Sequence, residues 1–209
     1  SKFIDDISKT YLHIFIIAGN HEYHQLKFHK REKTFKHMYS IEEVNSKIES
    51  VCNNYSNVYY MNKRVIEINN IRIIGCTLWS NCNDDTICDI TNIKNFSNEK
   101  YREIHVDHKK FLEDNLNDKT KTTIVVTHHM PSYQLIDQKF KKSPINSFFC
   151  SDMEYLMNKT DYWFYGHTHQ TNDIVINKCR CINNAKGNYF ENTGYNKDLI
   201  LELDEICNV

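Results

Sequence analysis

Three short, almost continuous apolar stretches in this chain each end directly in a group of metal-competent side chains. Residues 12–18 (LHIFIIA), 122–127 (TTIVVT) and 161–165 (DYWFY) lead into the segments GNHE, HHMPS and GHTH. Apolar runs of this length are typical of strands buried in a sheet covered by helices. Because the carboxyl ends of strands in one sheet open into a common crevice, we expect the three polar segments to converge there. The pattern restricts the chain to α/β folds with a site at a sheet margin.

The remaining periodicities indicate further helices and strands around these three runs. Ser40 with Glu43, and Ser151 with Glu154, are capping-box patterns that predict helix starts. Amphipathic spacing predicts a long helix over residues 98–116, and residues 3–9 are typical of a helix end. The predicted additional strands are 58–60, 65–68, 71–77, 173–176, 180–183 and 199–203. This order predicts an α/β fold with a mixed sheet or two stacked sheets.

Length and charge narrow the function classes. The 209 residues suit a single domain, and the net charge of −1 without a long basic stripe argues against general nucleic-acid binding. One local basic cluster is either a solvated helix face or a positive rim for an anionic substrate; it consists of Lys27, Lys30, Arg31, Lys33 and Lys36.

The eight cysteines favour reduced thiols in a cytoplasmic protein. The sequence holds no CxxC pair, no secretory signal and no apolar run long enough to span a membrane, so we expect no membrane partner. Cys179 and Cys181 alternate along a predicted strand and would share one face, which leaves a metal role there as a weaker alternative to packing.

The donor types in the three polar segments suit a borderline metal ion. Imidazole nitrogens and an amide oxygen are ligands for zinc, iron or manganese. Gly19 and Gly166 permit a close approach of the backbone to a ligand. Each motif alone is weak evidence, because HxH pairs and single histidines are common, but their coincidence at three strand ends predicts a metal site.

GNHE, THHMPS and YGHTH, in this order, resemble the later signature motifs of calcineurin-like metallophosphoesterases, and GCTLWS at 75–80 resembles a GxTLW segment of one branch. The resemblance implies one domain over 1–209 with a four-layer α/β/β/α sandwich of stacked mixed sheets. It also implies hydrolysis of a phosphate mono- or diester, in a small phosphorylated substrate, by in-line attack of a hydroxide that bridges two divalent ions (Mn, Fe or Zn).

The same resemblance implies a role for individual residues. Asn20, His128 and His167 would bind the second metal, and His169 would bind the first. His21 would be catalytic, either stabilising transition-state charge or protonating the leaving oxygen. Glu22 is expected to orient His21, and His129 to stabilise its loop or contact substrate. Five further histidines match no motif, and packing or surface roles are expected for them; they are His24, His29, His37, His105 and His108.

The chain departs from the family at its beginning and near its end. The Asp-x-His and Gly-Asp motifs that relatives place on their first strands are absent, so we expect the sandwich to lack its first strands and the domain to be N-terminally incomplete. The first metal then keeps His169 alone, and one ion in this chain is the alternative to two. Lys186 stands where the branch would carry Arg.

Three hypotheses therefore remain open. The chain is part of a working dinuclear phosphoesterase, a catalytically degenerate phosphoesterase fold that serves as a protein-binding scaffold, or a structural zinc protein that uses its cysteines. Upstream Asp-x-His and Gly-Asp motifs favour the first, absence of activity with added manganese the second, and metal loss on Cys→Ser substitution the third.

Overall fold

The computed structural model describes residues 2–24, 26–29, 34–37, 39–82, 88–117 and 120–203, with the backbone alone at 26–29 and 34–37. The helices are α1 (Lys2–Ser8), α2 (Ile41–Cys52), α3 (Cys88–Asn92), α4 (Asn98–Asn115) and α5 (Glu154–Met157). The strands are β1 (Ile14–Ile16), β2 (Leu26–His29), β3 (Thr34–His37), β4 (Val58–Tyr60), β5 (Arg64–Ile68), β6 (Ile71–Cys76), β7 (Thr122–Thr127), β8 (Tyr162–Phe164), β9 (Asn172–Ile176) and β10 (Cys179–Asn183).

The described strands form one large and two small sheets. The large sheet has six strands in the order β5-β6-β7-β8-β10-β9. Its inner pairs β6–β7, β7–β8 and β8–β10 are parallel, whereas the edge strands β5 and β9 pair antiparallel. Strands β1 and β4 form a separate parallel pair, and β2 and β3 form an antiparallel hairpin. The large sheet is therefore mixed, as the α/β prediction required.

Apolar packing arranges these sheets and helices in four layers. On one face of the large sheet, Val125 and Trp163 pack with Leu112 of α4 and Leu156 of α5. On its other face, Ile73, Ile124 and Ile182 pack with Phe15 and Ile17 from the β1 segment. The opposite side of β1–β4 packs on α2 through Ile41 and Val44. The α/β/β/α sandwich of stacked sheets is thus confirmed, and β1 lies between two apolar layers, which explains its apolar sequence.

Local sequence signals account for several boundaries. The Ser40 hydroxyl accepts the Glu43 N–H at 3.3 Å and the Glu43 carboxylate accepts the Ser40 N–H at 2.6 Å, so the predicted capping box begins α2. Ser97 caps α4 by accepting the Lys100 N–H. Asn69, at a φ of 52°, turns the chain between β5 and β6.

Two predictions of local structure are wrong in the middle and late parts of the chain. The Ser151–Glu154 capping box does not form: Met153 caps α5, and the Glu154 carboxylate instead accepts the Ser132 hydroxyl and the Gln134 amide. Residues 199–203 form no strand; Leu201 and Leu203 still pack on the large sheet, so their alternation reflects burial without ladder pairing.

Two further predictions need correction near the amino terminus. The 12–18 run yields the short strand β1 over Ile14–Ile16, and Leu12 is 87% exposed. Two residues of the basic cluster, Lys27 and Lys36, are paired in the β2–β3 hairpin, so the helix reading is wrong for these two. Lys30, Arg31 and Lys33 lie outside the described residues, and the positive-rim reading stays a prediction.

Gly75 in β6 gives a stability prediction that depends on sheet-to-sheet packing. A Cβ at this position would lie 2.6 Å from the Met61 Cβ, an atom that the backbone holds in place. We expect Gly75→Ala to destabilise the fold by about 1–3 kcal/mol or more through overpacking. Urea unfolding measures this change, with Ile73→Val as a control that removes one methylene from the same strand at roughly 0.5–1.5 kcal/mol. A smaller loss for Gly75→Ala than for the control contradicts the prediction.

None of the helices in the described part of the chain has both the length and the apolar character needed to cross a membrane.

Candidate active site

The turn that follows β1 places Asn20 in the gap between the two sheets. Asn20 begins a single 3-10 turn over Asn20–Tyr23, and the Gly19 N–H at its start donates to the Glu22 carboxylate at 2.7 Å. The buried Asn20 amide nitrogen donates to Asp89 Oδ1 at 2.9 Å. Because a carboxylate accepts and does not donate, this bond orients the amide and leaves Asn20 Oδ1 facing His128.

His128 and His167 enter the same gap from the ends of neighbouring parallel strands. The two strands β7 and β8 are paired in register, and the Gly166 N–H donates to the His128 carbonyl at 3.0 Å. His167 has a φ of 66°, a backbone conformation that non-glycine residues rarely adopt. In this conformation, His167 Nδ1 and His128 Nε2 are 3.1 Å apart.

His128 Nε2 lies close to two further potential ligand atoms, Asn20 Oδ1 and His167 Nδ1. His128 Nε2 lies 3.1 Å from Asn20 Oδ1 and 3.1 Å from His167 Nδ1. With neutral rings, the contact to Asn20 Oδ1 needs a proton on His128 Nε2, and a protonated Nε2 cannot also accept a proton from His167 Nδ1, so both contacts cannot be full hydrogen bonds at once. Ligand atoms that share an ion at about 2.1 Å lie roughly 3.0–3.4 Å from one another. The donor chemistry and the spacing both fit a divalent ion held by Asn20, His128 and His167.

The electrostatic setting keeps these histidines neutral. Burial, followed by the fields of His167, His21 and His169, holds the pKa of His128 well below its ordinary value. Burial is also the main cause that lowers the pKa of His167 to about 4. A neutral imidazole presents a lone pair to a metal, so both rings are in the ligating form at neutral pH.

His169 and His21 stand at the rim of this group. His169 is exposed, and its Nδ1 lies 2.6 Å from Glu191 Oε2. His21 is also exposed, and its ring packs 4.5 Å from that of His24. Both are near enough for their charges to lower the pKa of His128 and His167. The predicted site residues thus share one region, with three in direct contact and two at its edge; their individual roles stay predictions.

His129 is part of the support of the site. It is fully buried, its Nδ1 lies 3.3 Å from the Thr77 carbonyl, and its ring stacks on Trp79 at 5.6 Å. Its Nε2 is buried with no hydrogen-bond partner in the described structure, and burial lowers its pKa far below the usual value. Of the two predicted roles, this environment favours loop stabilisation over substrate contact.

The loop after β6 is held by two histidines that carry no motif. Leu78 and Trp79 have φ values of 69° and 55°. The Leu78 N–H donates to His108 Nδ1 at 3.1 Å, and the Leu78 carbonyl lies 3.1 Å from His105 Nδ1. Both histidines are on α4, so this helix fixes the strained loop that carries Trp79 beneath His129.

The sequence did not reveal Asp89, which is 3% exposed and contacts both Asn20 and His24. Asp89 lies in the five-residue helix α3. It does not directly follow a predicted strand, and it belongs to no recognised motif. A polar residue in such a short segment gives no periodicity signal. Glu191 beside His169 was likewise missed, in a segment without regular structure.

The fold is that of the metallophosphoesterase class. The chain belongs to the calcineurin-like phosphoesterase family, whose sequence profile matches residues 1–171. The description of the whole chain as a single domain over 1–209 stays a prediction.

Three comparisons place the chain among known proteins. An uncharacterized protein of Acanthamoeba polyphaga mimivirus is 28% identical over 98% of this chain and 79% of its own length. The crystal structure of a phosphopantetheinyl hydrolase from Mycobacterium tuberculosis superposes with a TM-score of 0.61 at 12% identity, over 88% of this chain and 72% of that one. A Staphylococcus aureus structure assigned as a 5′-nucleotidase gives a TM-score of 0.46 at 12% identity, over 88% of this chain and 34% of that one.

One further solved chain has a TM-score of 0.51 at 12% identity, and the present chain spans 62% of its length.

Proposed function

We propose that this chain carries the metal-binding part of a phosphoesterase that hydrolyses a phosphate mono- or diester. The observation that carries the proposal is the position of His128 Nε2, which lies 3.1 Å from Asn20 Oδ1 and 3.1 Å from His167 Nδ1 and whose ring burial keeps neutral. Family membership and the fold shared with a phosphopantetheinyl hydrolase support a hydrolase.

A divalent ion held there, manganese, iron or zinc by donor type, would lower the pKa of a coordinated water and polarise a phosphoryl oxygen. Asn20 would present its oxygen because Asp89 fixes the amide nitrogen, and the two imidazoles would bind through the nitrogens that now face each other. His169 would bind a second ion where the complete family site exists.

His21 is the proposed catalytic residue. It is exposed at the rim, next to the buried donors whose pKa values respond to its charge. From this place its imidazole can donate a hydrogen bond to a phosphoryl oxygen or to the departing ester oxygen. The carboxylate of the neighbouring Glu22 accepts the Gly19 N–H. An orienting role of Glu22 towards His21 stays a prediction.

The proposal also includes a location in the cytoplasm and a small phosphorylated substrate. The seven cysteines of the described residues form no disulfide with one another, and a cytoplasmic protein would keep such thiols reduced. Cys179 and Cys181, both in β10, lie fully buried in the apolar core. This burial supports a packing role over a structural zinc role.

The test pairs metal analysis with hydrolysis of an aryl phosphate and a bis-aryl phosphate in the presence of manganese. We expect His128→Ala to lose both metal and hydrolysis, since it removes the atom shared by the other two donors. His21→Gln should retain metal and lose about 10²–10⁴-fold in rate.

His13→Gln, an exposed histidine outside the site, is the matched control and should change neither quantity. Metal binding without hydrolysis by the unsubstituted chain would support the scaffold alternative. Absence of metal binding would overturn the proposed site altogether.

A further inference from the structure

We propose a further divalent-cation site, formed by His24, Cys88 and Asp89, beside the proposed Asn20–His128–His167 site. Their ligand atoms, an imidazole nitrogen, a thiol sulfur and a carboxylate oxygen, all lie within 4.8 Å of one another. His24 follows the 3-10 turn that carries Asn20, and the other two residues begin α3. None of the three belongs to the motifs that define the proposed phosphoesterase site.

The donor set matches zinc. Imidazole, thiolate and carboxylate are its three common protein ligands, at bond lengths of about 2.0–2.3 Å, and three protein donors leave a fourth position for water or another ligand. Ligand atoms around such an ion lie roughly 3.3–3.8 Å apart. The three atoms lie within 4.8 Å of one another, and the His24 Nε2–Asp89 Oδ1 pair, now at 2.6 Å, must open when the ion binds. Cys88 is exposed, and rotation of its side chain can bring the sulfur inward.

The charge of Asp89 is an independent reason to place a cation there. Its carboxylate is almost fully buried, and its Oδ1 accepts from the Asn20 amide and lies 2.6 Å from His24 Nε2. Removing a carboxylate from water costs several kcal/mol unless a charge compensates it. The ion pair that Asp89 makes within the described residues is with His24, which carries a charge only when protonated. A divalent ion would replace that single proton with a permanent double charge.

The His24–Cys88–Asp89 site would also influence the Asn20–His128–His167 site. Asp89 Oδ1 holds the amide of Asn20, whose oxygen lies 3.1 Å from His128 Nε2. Asn20, His128 and His167 are all neutral donors, so the proposed phosphoesterase site lacks an anionic ligand of its own. A cation bound to Asp89 would fix the carboxylate and, through it, the orientation of Asn20.

Cobalt(II) titration of the full chain tests this site, because a thiolate ligand gives a sulfur-to-cobalt charge-transfer absorption in the near ultraviolet and imidazole ligands do not. We expect this absorption in the unsubstituted chain, and its loss in Cys88→Ser. The matched control is Cys150→Ser, because the buried Cys150 thiol donates to the Asn146 carbonyl and a hydroxyl can replace it. The control should keep the absorption.

Two further variants separate this site from the proposed phosphoesterase site. His128→Ala should keep the thiolate absorption while losing metal at the Asn20–His128–His167 site. Asp89→Asn should weaken zinc binding, measured by calorimetry, at least roughly tenfold. Absence of the absorption in the unsubstituted chain, its persistence in Cys88→Ser, or its loss in His128→Ala each overturns a separate His24–Cys88–Asp89 site, whatever the outcome for hydrolysis.

Discussion

Gly19→Ala is expected to abolish tight metal binding at the Asn20–His128–His167 group while the chain stays folded. A Cβ at position 19 would lie 2.6 Å from His128 Cε1, 2.8 Å from Nδ1 and 2.9 Å from Nε2. The backbone itself tolerates alanine, since Gly19 has a φ of −85° and a ψ of 177°. The effect is therefore steric and falls on the imidazole ring.

The displaced ring has little room to preserve its contacts. Gly166 lies on another side of His128, and a Cβ built there would already touch His128 Nδ1 at 3.5 Å. The ring must rotate or shift, which moves Nε2 away from Asn20 Oδ1 and His167 Nδ1. Because ligation depends on placement within a few tenths of an ångström, we expect a loss of manganese or zinc affinity of about 10–100-fold or more.

Gly166→Ala is the matched control, with one methyl group added next to the same ring. Its Cβ would make an ordinary van der Waals contact, so metal affinity should stay within about threefold of the unsubstituted chain. Calorimetric titration of both variants gives the comparison, and circular dichroism checks the fold. Equal losses in the two variants, or unchanged affinity in Gly19→Ala, would show that His128 does not occupy the proposed ligating position.

The proximity of Asn20, His128 and His167 could be predicted from the sequence because these residues follow the ends of strands; their role as metal ligands stays a prediction. Alternation and apolar runs identified β1, β7 and β8, and the polar residues that follow these strands converge because a strand end fixes their direction. The expectation that all three strands share one sheet is wrong, since β1 pairs with β4 in the smaller sheet. Two stacked sheets bring the same ends together, so these residues lie close to one another although the expected strand pairing does not occur.

The remaining features could not be predicted from local patterns. Asp89 approaches Asn20 across 69 positions of sequence, from a helix too short to show periodicity. The Ser151–Glu154 pattern failed because Glu154 has competing donors in Ser132 and Gln134, which are distant in sequence. The roles of His105 and His108 depend on positive φ values at the loop after β6, which tertiary packing imposes.

His108 gives the prediction with the second large effect, on stability in acid. Burial lowers the pKa of His108 to about 3, from an ordinary value of 6.5. Asp107 opposes this change, whereas Lys63 and His105 reinforce it. The neutral ring accepts the Leu78 N–H, and a proton on Nδ1 would remove that bond.

The direction in which stability changes with pH follows from proton linkage. Between pH 6.5 and about pH 3 the unfolded chain binds a proton at His108 and the folded chain does not, so stability falls as the pH is lowered through this window. Each such group contributes a slope of about 1.4 kcal/mol per pH unit inside its window. His105, whose pKa burial also lowers, acts in the same direction.

His108→Gln should therefore be less stable near pH 7.5, where it lacks the buried ring, yet lose stability less steeply in acid. We expect the slope of the unfolding free energy between pH 6 and pH 4.5 to decrease by about 1 kcal/mol per pH unit relative to the unsubstituted chain. Urea unfolding at several pH values measures it, with the exposed His13→Gln as a control that should leave the slope unchanged. Identical slopes for His108→Gln and the unsubstituted chain would mean that His108 is protonated in the folded state, and the inferred bond from Leu78 would then be wrong.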